Sequence, residues 1–152
     1  MKIEARLEEL GITLPEVPKP VANYVPAVQT GNLLFLSGHG PGQGEGKIYQ
    51  GKLGQDLTIE EGYASARQVA LCLLSTLKNT LGDLDRVKRI VKLVGFVNSA
   101  PGFTDQPKVV NGASDLFVEV FGDKGRHARS AVGMVELPGG IPVEIELIVE
   151  VE

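Results

Sequence analysis

Apolar and polar side chains alternate along the last ten residues of the chain, 143–152. One set of alternate positions is entirely apolar: Val143, Ile145, Leu147, Val149 and Val151. The intervening positions are glutamates, apart from Ile148. Successive side chains of a β-strand point to opposite faces. The pattern therefore predicts a strand with one buried face and a row of carboxylates on the other.

A second strand is indicated immediately upstream, in the segment SAVGMVEL that begins at Ser130. Pro138, Gly139 and Gly140 separate it from the last strand, and proline and glycine are typical turn residues. We therefore expect the two strands to pair as a terminal hairpin. Arg129 stands just before this predicted hairpin.

Further β-structure is predicted between residues 26 and 53. The segment PAVQTGNLLFLSG, 26–38, favours two short strands joined by a tight turn near Thr30-Gly31-Asn32. The glycine-rich stretch 38–46 lacks the Lys-Ser/Thr ending of a phosphate-binding loop and predicts a flexible loop. The segment KIYQGKL that follows indicates a minor strand.

Three helices are predicted from apolar spacing and from end signals. A short amphipathic helix covers residues 2–10. A long helix begins at Thr58, which forms a T-x-x-E capping box with Glu61, and ends at Gly82. The third helix spans about Gln106 to Phe121, with apolar residues along one side.

The segment RIVKLVGFVNS between the two long helices predicts a strand that is apolar on both faces. Its apolar positions are Val91, Leu93 and Val97 on one face, and Ile90, Val94 and Phe96 on the other. Such a strand must be covered on both sides. Helices can cover one side, and we expect a subunit interface to cover the other.

The element order β-β-(β)-α-β-α-β-β predicts an α+β fold, with two main helices on one face of a mainly antiparallel or mixed sheet. A length of 152 residues suits a single domain. Residues 1–20 form an N-terminal extension, a short helix followed by a linker that Pro15, Pro18 and Pro20 keep extended. Residues 22–152 form the core.

Composition narrows the classes of function. The net charge is -4, and the basic residues are scattered, which opposes a nucleic-acid or anionic-membrane surface. No apolar stretch approaches the roughly 20 residues of a membrane-spanning helix, and the charged N-terminus is unlike a signal peptide. The single cysteine, Cys72, lies in the apolar run ALCLL and is expected to be a buried packing residue. These features favour a cytoplasmic protein.

Few residues offer recognisable chemistry by themselves. His39 and His127 are far apart in the sequence, and no Cys-x-x-Cys or His-x-x-x-His spacing predicts a structural zinc site. Arg129 would ordinarily be interpreted as a surface or salt-bridge residue. Glu144 is one of four carboxylates on a strand face that solvent would ordinarily cover.

A set of motifs in a fixed order changes that interpretation. The order is NYVPAV, LLFLSG, a helix, VVNG, ARSAV and ELPGGIPVEIE. The chain resembles the Rid family, also called YjgF or RidA-like, over roughly residues 22–152. The most specific piece is A-R-S, followed after about seven residues by L-P and an acidic strand. The resemblance implies a chorismate-mutase-like (bacillus type) fold that assembles as a homotrimer, with the sheets forming a central barrel and the sites in clefts between subunits.

The resemblance also implies an activity and its residues. Rid-family enzymes hydrolyse reactive enamines and imines such as 2-aminoacrylate to a 2-keto acid and ammonia, with no metal or organic cofactor. The substrate-binding arginine of the family falls on Arg129, and the acidic residue near the water falls on Glu144. The other substrate-binding positions fall on Tyr24, Ser37, Gly38, Asn111 and Ala131. Ala131 stands where the deaminases often carry cysteine or a hydroxyl residue, which leaves the choice of substrate open.

The chemistry fits those residue types. A planar guanidinium can hold a substrate carboxylate through two parallel hydrogen bonds, and a carboxylate can orient or deprotonate the attacking water. Two other functions stay open at this point. One is a protein that binds a 2-keto acid without turning it over. The other is an endoribonuclease that uses the basic cluster Lys124, Arg126, His127 and Arg129.

Overall fold

A five-stranded mixed sheet with helices on one face forms the body of the protein. The structure is a computed structural model that describes residues 2–16 and 22–152. The strands are β1 (Ala27–Thr30), β2 (Leu33–His39), β3 (Val87–Asn98), β4 (Ala128–Met134) and β5 (Val143–Val151). The helices are α1 (Lys2–Glu9), α2 (Ile59–Leu81) and α3 (Gln106–Phe121). The predicted linker prolines Pro18 and Pro20 lie outside the described residues.

The strand order is β1-β2-β5-β3-β4, and the expected terminal hairpin is wrong. β4 pairs with β3, in parallel, while β5 lies between β2 and β3 and is antiparallel to both. Pro138–Gly140 forms a single 3-10 turn within the connection rather than a hairpin turn. The two last strands are therefore separated by the full width of β3.

The connection over residues 135–142 crosses the C-terminal end of β3. Asn98 holds it there, because its backbone N–H donates to the carbonyl of Pro142 (2.9 Å) and its side-chain amide donates to that of Ile141 (3.1 Å). The crossing spans two strand spacings, about 10 Å. It takes β5 to a central position, where its backbone groups are paired on both edges and its apolar face is buried at 3% exposure or less.

The long helices follow the sequence closely. The Thr58 side chain accepts from the backbone N–H of Glu61, and the Glu61 side chain accepts from the backbone N–H of Thr58, which confirms the capping box. Gly82, at φ 81°, ends α2, and α3 has the predicted bounds. Cys72 is buried within α2, where burial raises the pKa of its thiol.

β3 buries its side chains differently from simple alternation. Ile90, Leu93 and Val97 are all fully buried toward the helices, whereas Val91 is only half-buried. The pairing of β3 with β5 shifts register between Ile90 and Lys92. This irregularity turns Ile90 to the helix side, so the predicted grouping of Ile90 with Val94 and that of Val91 with Leu93 are wrong.

The segment KIYQGKL is not a strand. Lys47–Tyr49 forms a 3-10 turn, and Leu53 alone makes isolated bridges further on. Gly46 and Gly51 have φ of 111° and 125°, conformations that interrupt an extended chain on both sides of the turn. The predicted turn at Thr30-Gly31-Asn32 is confirmed, with Gly31 at φ 59°.

The two faces of the sheet have different surroundings, and we call them the helix face and the outer face. α2 and α3 cover the helix face. No helix of the described residues covers the outer face, which displays exposed apolar side chains. Val28, Phe35 and Val132 are 55%, 41% and 40% exposed there. No helix in the described part of the chain is both long enough and apolar enough to span a membrane.

Candidate functional site

Arg129 lies on the helix face of the edge strand β4, beside α3. Its register partner on β3 is the buried Leu93, which fixes the side to which it points. Its Nη1 donates to Oδ1 of Asn111 (2.8 Å) and to Oγ of Ser114 (3.2 Å). Both acceptors are neutral, so these contacts orient the guanidinium without neutralising its charge.

The remaining donors of Arg129 have no partner among the described residues. These are Nε and Nη2, which form the side-on edge of the guanidinium. No carboxylate within residues 2–16 and 22–152 lies within ion-pair distance of Arg129. The side chain is half-buried. A half-buried cation with one open edge is suited to bind a carboxylate through two hydrogen bonds.

His127 stands next to Arg129 on the same side of β4. Its Nδ1 lies 2.6 Å from the carbonyl oxygen of Gly125, and its Nε2 lies 2.9 Å from Oγ of Ser114. Burial lowers the pKa of His127, the hydrogen bond to Gly125 opposes this effect, and the charge of Arg129 lowers the pKa further. We call Asn111, Ser114, His127 and Arg129 the Arg129 group. Ala131, two residues further along β4, is half-buried against the core on the same face.

Glu144 lies on the outer face of β5, beside a β-bulge in β2. The pairing of β2 with β5 shifts between Leu36 and His39, so that Ser37 and Gly38 share one position opposite β5. A Cβ added to Gly38 would lie 2.5 Å from Oε2 of Glu144. Glycine therefore lets the carboxylate rest against the backbone of β2.

The same strand holds the segment that carries Tyr24. Oγ of Ser37 donates to the carbonyl of Val25 (2.7 Å), and the Ser37 N–H donates to that of Pro26 (2.9 Å). The Tyr24 side chain is 54% exposed. We call Tyr24, Ser37, Gly38 and Glu144 the Glu144 group.

The surroundings of Glu144 shift the pKa of its carboxyl group upward. Burial raises the pKa of its carboxyl group, and the negative charge of the neighbouring Glu146 raises it further. The raised pKa brings the carboxylate closer to the range in which general bases work. Glu144 thus differs from a solvated surface glutamate, which was the ordinary interpretation of its strand face.

The Arg129 group and the Glu144 group do not meet within one chain. Arg129 points to the helix face, and Glu144, whose register partner is Phe96, points to the outer face. β3 also separates their strands, so the expectation that they adjoin in one hairpin is wrong. A site that needs both groups would have to be assembled from two copies of the chain.

His39 and the basic cluster have other surroundings. His39 turns toward α2, where Nε2 lies 2.7 Å from Oγ1 of Thr76, and burial lowers its pKa. Arg126 is exposed and pairs with Asp123 (3.7 Å). His127 and Arg129 instead turn toward α3. The members of the predicted basic cluster, 124–129, therefore do not share one surface.

Sequence reasoning missed Ser114, and it treated His127 only as part of a basic cluster. A signal for both was present. Asn111 and Ser114 are three apart on a helix, and His127 lies two residues before Arg129, at the start of the predicted β-structure, so each pair can share a face. What the sequence lacked was the packing of α3 against β4, which brings the two pairs together. No group of metal-ligating side chains occurs in the described residues.

Comparisons with known proteins agree with this architecture. A family model described as "YjgF/chorismate mutase-like, putative endoribonuclease" matches residues 4–143. Protein TCP17 of Trypanosoma cruzi is 51% identical over 150 residues, covering 98% of this chain and 94% of that protein. A 2-iminobutanoate/2-iminopropanoate deaminase of Dermatophagoides farinae is 29% identical over 143 residues, covering 93% and 95%.

Solved structures share the fold. The crystal structure of Atu1372, a protein of Agrobacterium tumefaciens, superimposes with a TM-score of 0.91 at 45% identity and covers 99% of this chain and 93% of that one. Both the match of the family model over most of the chain and the mixed sheet backed by helices confirm the family resemblance and the α+β class. The chain belongs to the YjgF (Rid) family and has its chorismate mutase-like fold.

Proposed function

We propose that the protein hydrolyses reactive enamines or imines of 2-keto acids, releasing the keto acid and ammonia. The substrate class is the one in the name of the Dermatophagoides farinae relative, 2-iminobutanoate and 2-iminopropanoate. In this reaction an enamine first takes a proton on carbon to become the imine. Water then adds to the C=N carbon, and the C–N bond breaks as ammonia leaves.

The observation that carries the proposal is the open edge of Arg129. Asn111 and Ser114 hold Nη1, and among the described residues Nε and Nη2 have no partner. A 2-imino acid carries a carboxylate that fits this edge with two parallel hydrogen bonds. Fixing the carboxylate also fixes the adjacent C=N carbon, which is catalysis by orientation.

Glu144 supplies the second role, acting on the attacking water. Its carboxyl group is half-buried, and burial raises its pKa. A carboxylate of raised pKa is a stronger base toward water than an exposed one. Tyr24, Ser37 and Gly38 belong to the segment beside Glu144, and in this proposal they contact the part of the substrate that Arg129 does not hold.

The two roles meet if the β4 edge of one copy, which carries Arg129, packs against the outer face of its neighbour, which carries Glu144. The exposed apolar residues Val28, Phe35 and Val132 favour such a contact, since large exposed apolar patches are typical of interfaces. The family resemblance supplies the number three. Each site of the trimer then combines the Arg129 group of one copy with the Glu144 group of its neighbour.

Turnover is tested directly by coupled detection of ammonia and keto acid from enzymatically generated 2-aminoacrylate or 2-iminobutanoate. Wild-type protein should accelerate release of ammonia well above the spontaneous rate. Binding of 2-oxobutanoate without any acceleration would instead support the alternative of a keto-acid-binding protein.

Subunit complementation tests the shared site. Arg129→Ala and Glu144→Gln are each expected to keep about a tenth of the wild-type activity or less. When the two variants are unfolded, mixed in equal amounts and refolded, about one quarter of the sites in a cyclic assembly receive an intact arginine and an intact glutamate. Recovery of activity toward that fraction supports a site between copies. Two variants that stay inactive after verified mixing would exclude it.

The endoribonuclease alternative has weaker support from the geometry. Arg126 pairs with Asp123, while His127 and Arg129 are bonded to α3, so a phosphate backbone would not meet them together. His39 faces α2 and cannot serve as a second histidine beside His127. RNA binding that weakens steeply with added salt would revive this function.

A further inference from the structure

A chain of hydrogen bonds runs inward from the guanidinium of Arg129 to the backbone. It passes through the hydroxyl of Ser114 and the ring of His127 and ends at the carbonyl of Gly125. None of these contacts touches the open Nε–Nη2 edge of Arg129. The chain therefore supports the cation from behind, on the side away from a bound carboxylate.

The direction of each hydrogen bond follows from the chemistry of its ends. A carbonyl can only accept, so Nδ1 of His127 carries the proton and donates to Gly125 over 2.6 Å. Nε2 is then an acceptor and receives the hydroxyl proton of Ser114 over 2.9 Å. The Ser114 oxygen is left with its lone pairs toward Nη1 of Arg129 at 3.2 Å. Neutral His127 thus sets the orientation of the serine that Arg129 needs.

We propose that Ser114 and His127 are positioning residues for Arg129, and that His127 takes up a proton when a carboxylate binds at Arg129. The inference deepens the proposed function and rests on it for the choice of a 2-keto acid as the carboxylate. Protonated His127 donates to Ser114, whose second lone pair still faces Arg129, so the support survives the change.

Charge links the two events. Arg129 is the charged group that acts on the pKa of His127, and it acts to lower it, after the larger effect of burial. The preceding turn carries Asp123, Lys124 and Arg126, all exposed, and Arg126 pairs with Asp123 at 3.7 Å. A bound carboxylate offsets the charge of Arg129 and so removes part of what disfavours protonation.

The side of α3 that faces His127 adds no charged contact to it among the described residues. It contributes the hydroxyl of Ser114 and the ring of Phe117, whose centroid lies 6.2 Å from that of the imidazole in an edge-on arrangement. The pKa of His127 should therefore rise in the complex. By linkage, the carboxylate should bind more tightly as the pH falls from 8.0 to 5.5, because the effect must be reciprocal.

The experiment is a titration of the full chain with 2-oxobutanoate by calorimetry between pH 5.5 and 8.0, combined with NMR of the two histidine rings. The dissociation constant is expected to fall about fivefold across this range, at the low end of common site coupling. The NMR pKa of His127 should be higher with saturating 2-oxobutanoate than without it. His127→Gln assigns the signals and should flatten the pH dependence.

His39 provides an internal reference. It has the same pattern of bonds, with a backbone carbonyl at Nδ1 (Ser37, 2.6 Å) and a hydroxyl at Nε2 (Thr76, 2.7 Å). Burial lowers its pKa too, but no charged group contributes to the shift. Its titration should therefore move less than that of His127 when 2-oxobutanoate binds.

Matched variants separate positioning from general damage. Ser114→Ala should weaken 2-oxobutanoate binding about five- to tenfold, as expected for the loss of one ordinary hydrogen bond that acts through Arg129, and should raise KM more than it lowers kcat. Ser114→Thr keeps the hydroxyl and should restore binding to within about twofold of wild type. Tyr63→Phe is the control, because it removes a hydroxyl bonded to the next residue of α3, Asp115 (2.7 Å), and should change neither constant.

Each outcome bears on the inference separately from the enzyme activity. Keto-acid binding that depends on Arg129 but is flat with pH, with an unmoved His127, overturns the inference and leaves the proposed function standing. Failure to bind 2-oxobutanoate at any pH overturns the inference even if imines are hydrolysed. The expected binding and proton uptake without turnover support it while rejecting catalysis.

Discussion

The helix face and the outer face of the same sheet differ in how far one chain completes them. On the helix face, α2 and α3 cover the apolar residues, and Ser114 and His127 are hydrogen-bonded to each other, which leaves the Nε–Nη2 edge of Arg129 as the open polar group. On the outer face, Phe35 and Val132 stay exposed beside Glu144, whose pKa is raised by burial and by a like charge. Folding of a single chain buries the apolar side chains of the first face. The second has the composition of a surface that another copy would cover.

The two halves of the candidate site differ in the same way, because the Arg129 group lies on the helix face and the Glu144 group on the outer face. The Arg129 group is prearranged within the chain by three hydrogen bonds. Arg129 is bonded to Asn111 and to Ser114, and Ser114 is bonded to His127. The Glu144 group is only loosely defined by its own chain, with Tyr24 54% exposed. We infer that the anchor for the carboxylate is built during folding and that the water-handling half is completed on assembly.

Breaking the outer face should have the largest effect. Phe35→Glu places a charge where the proposed interface buries an aromatic ring, and burial of such a ring stabilises by about 2 to 3 kcal/mol for each copy. We expect the mass from light scattering to fall from three times the 16.2 kDa of one chain to that of one chain, and turnover to fall to background.

Val135→Glu is the control for that change. Val135 is 81% exposed and lies in the connection after β4 rather than on the sheet. The same substitution there should leave mass and turnover unchanged. A Phe35→Glu protein that keeps the wild-type mass and activity would refute the role given to the outer face.

Changing the prearranged half should come next. Arg129→Ala removes the charge-assisted contact and should lower kcat/KM by about 30- to 1000-fold, corresponding to about 2 to 4 kcal/mol. Arg129→Lys should also be severely impaired, because an ammonium lacks the planar fork. The measurement is imine hydrolysis, with the oligomer checked for each variant.

Arg126→Ala serves as the comparison, since that exposed arginine pairs with Asp123 and not with a residue of the candidate site. It should retain activity within about twofold of wild type. If Arg129→Ala kept activity within about threefold, under 1 kcal/mol, Arg129 would return to the ordinary role of a surface residue.

Glu144→Gln should have a smaller effect, confined to the chemical step. We expect kcat to fall about 10- to 100-fold, while the affinity for 2-oxobutanoate changes little. Wild-type activity should also decline at acid pH as Glu144 becomes protonated. Glu146→Gln removes the neighbouring charge that raises the pKa of Glu144, so it should shift this acid limb to lower pH. If the acid limb of the pH–activity profile were unchanged in both variants, Glu144 would be excluded as the base.

The smallest expected effect is on the pH dependence of stability, in which the buried histidines of the helix face and Glu144 of the outer face should act in opposite directions. Burial holds the pKa of His39 and that of His127 below the ordinary 6.5, so the unfolded chain binds more protons than the folded chain just below pH 6.5. This part of the stability is complete above pH 6.5 and is lost as the pH falls through that window. The raised pKa of Glu144 acts oppositely, since the folded chain then binds more protons above pH 4.5 and loses stability as the pH rises.

Urea unfolding at fixed protein concentration, from pH 8.0 to pH 4.5, measures both slopes. His39→Gln and His127→Gln should each reduce the loss below pH 6.5, and Glu144→Gln should remove only the opposite slope at lower pH. If the two histidine substitutions left the slope of the unfolding free energy against pH unchanged, the assigned burial effects would be contradicted.

Local features of the fold were readable from the sequence because their causes are local. The capping box of Thr58 and Glu61, the stop at Gly82 and the bounds of α3 depend on neighbouring residues and on helical spacing. The alternation in β5 likewise predicted which of its side chains would be buried. The motif order around Arg129 also indicated the family.

Pairing of strands was decided by the tertiary structure. The turn residues Pro138–Gly140 suggested a hairpin, yet the connection that contains them crosses the end of β3 and places β5 between β2 and β3, where its backbone is paired on both edges. The same holds for Ile90, whose burial depends on a register shift against β5. No local pattern encodes which strand a segment will have as its neighbour.

For the site residues too, the sequence determined some properties and the tertiary structure determined others. The sequence by itself determined an arginine suited to a carboxylate, a row of glutamates and a strand that needed cover on both faces. Only the tertiary structure decided that Arg129 and Glu144 point to opposite faces, and that Ser114 and His127 support Arg129 from behind. The reason is physical: residue type and spacing fix what a side chain can do and which face it shares, whereas helix packing and strand order fix what it meets.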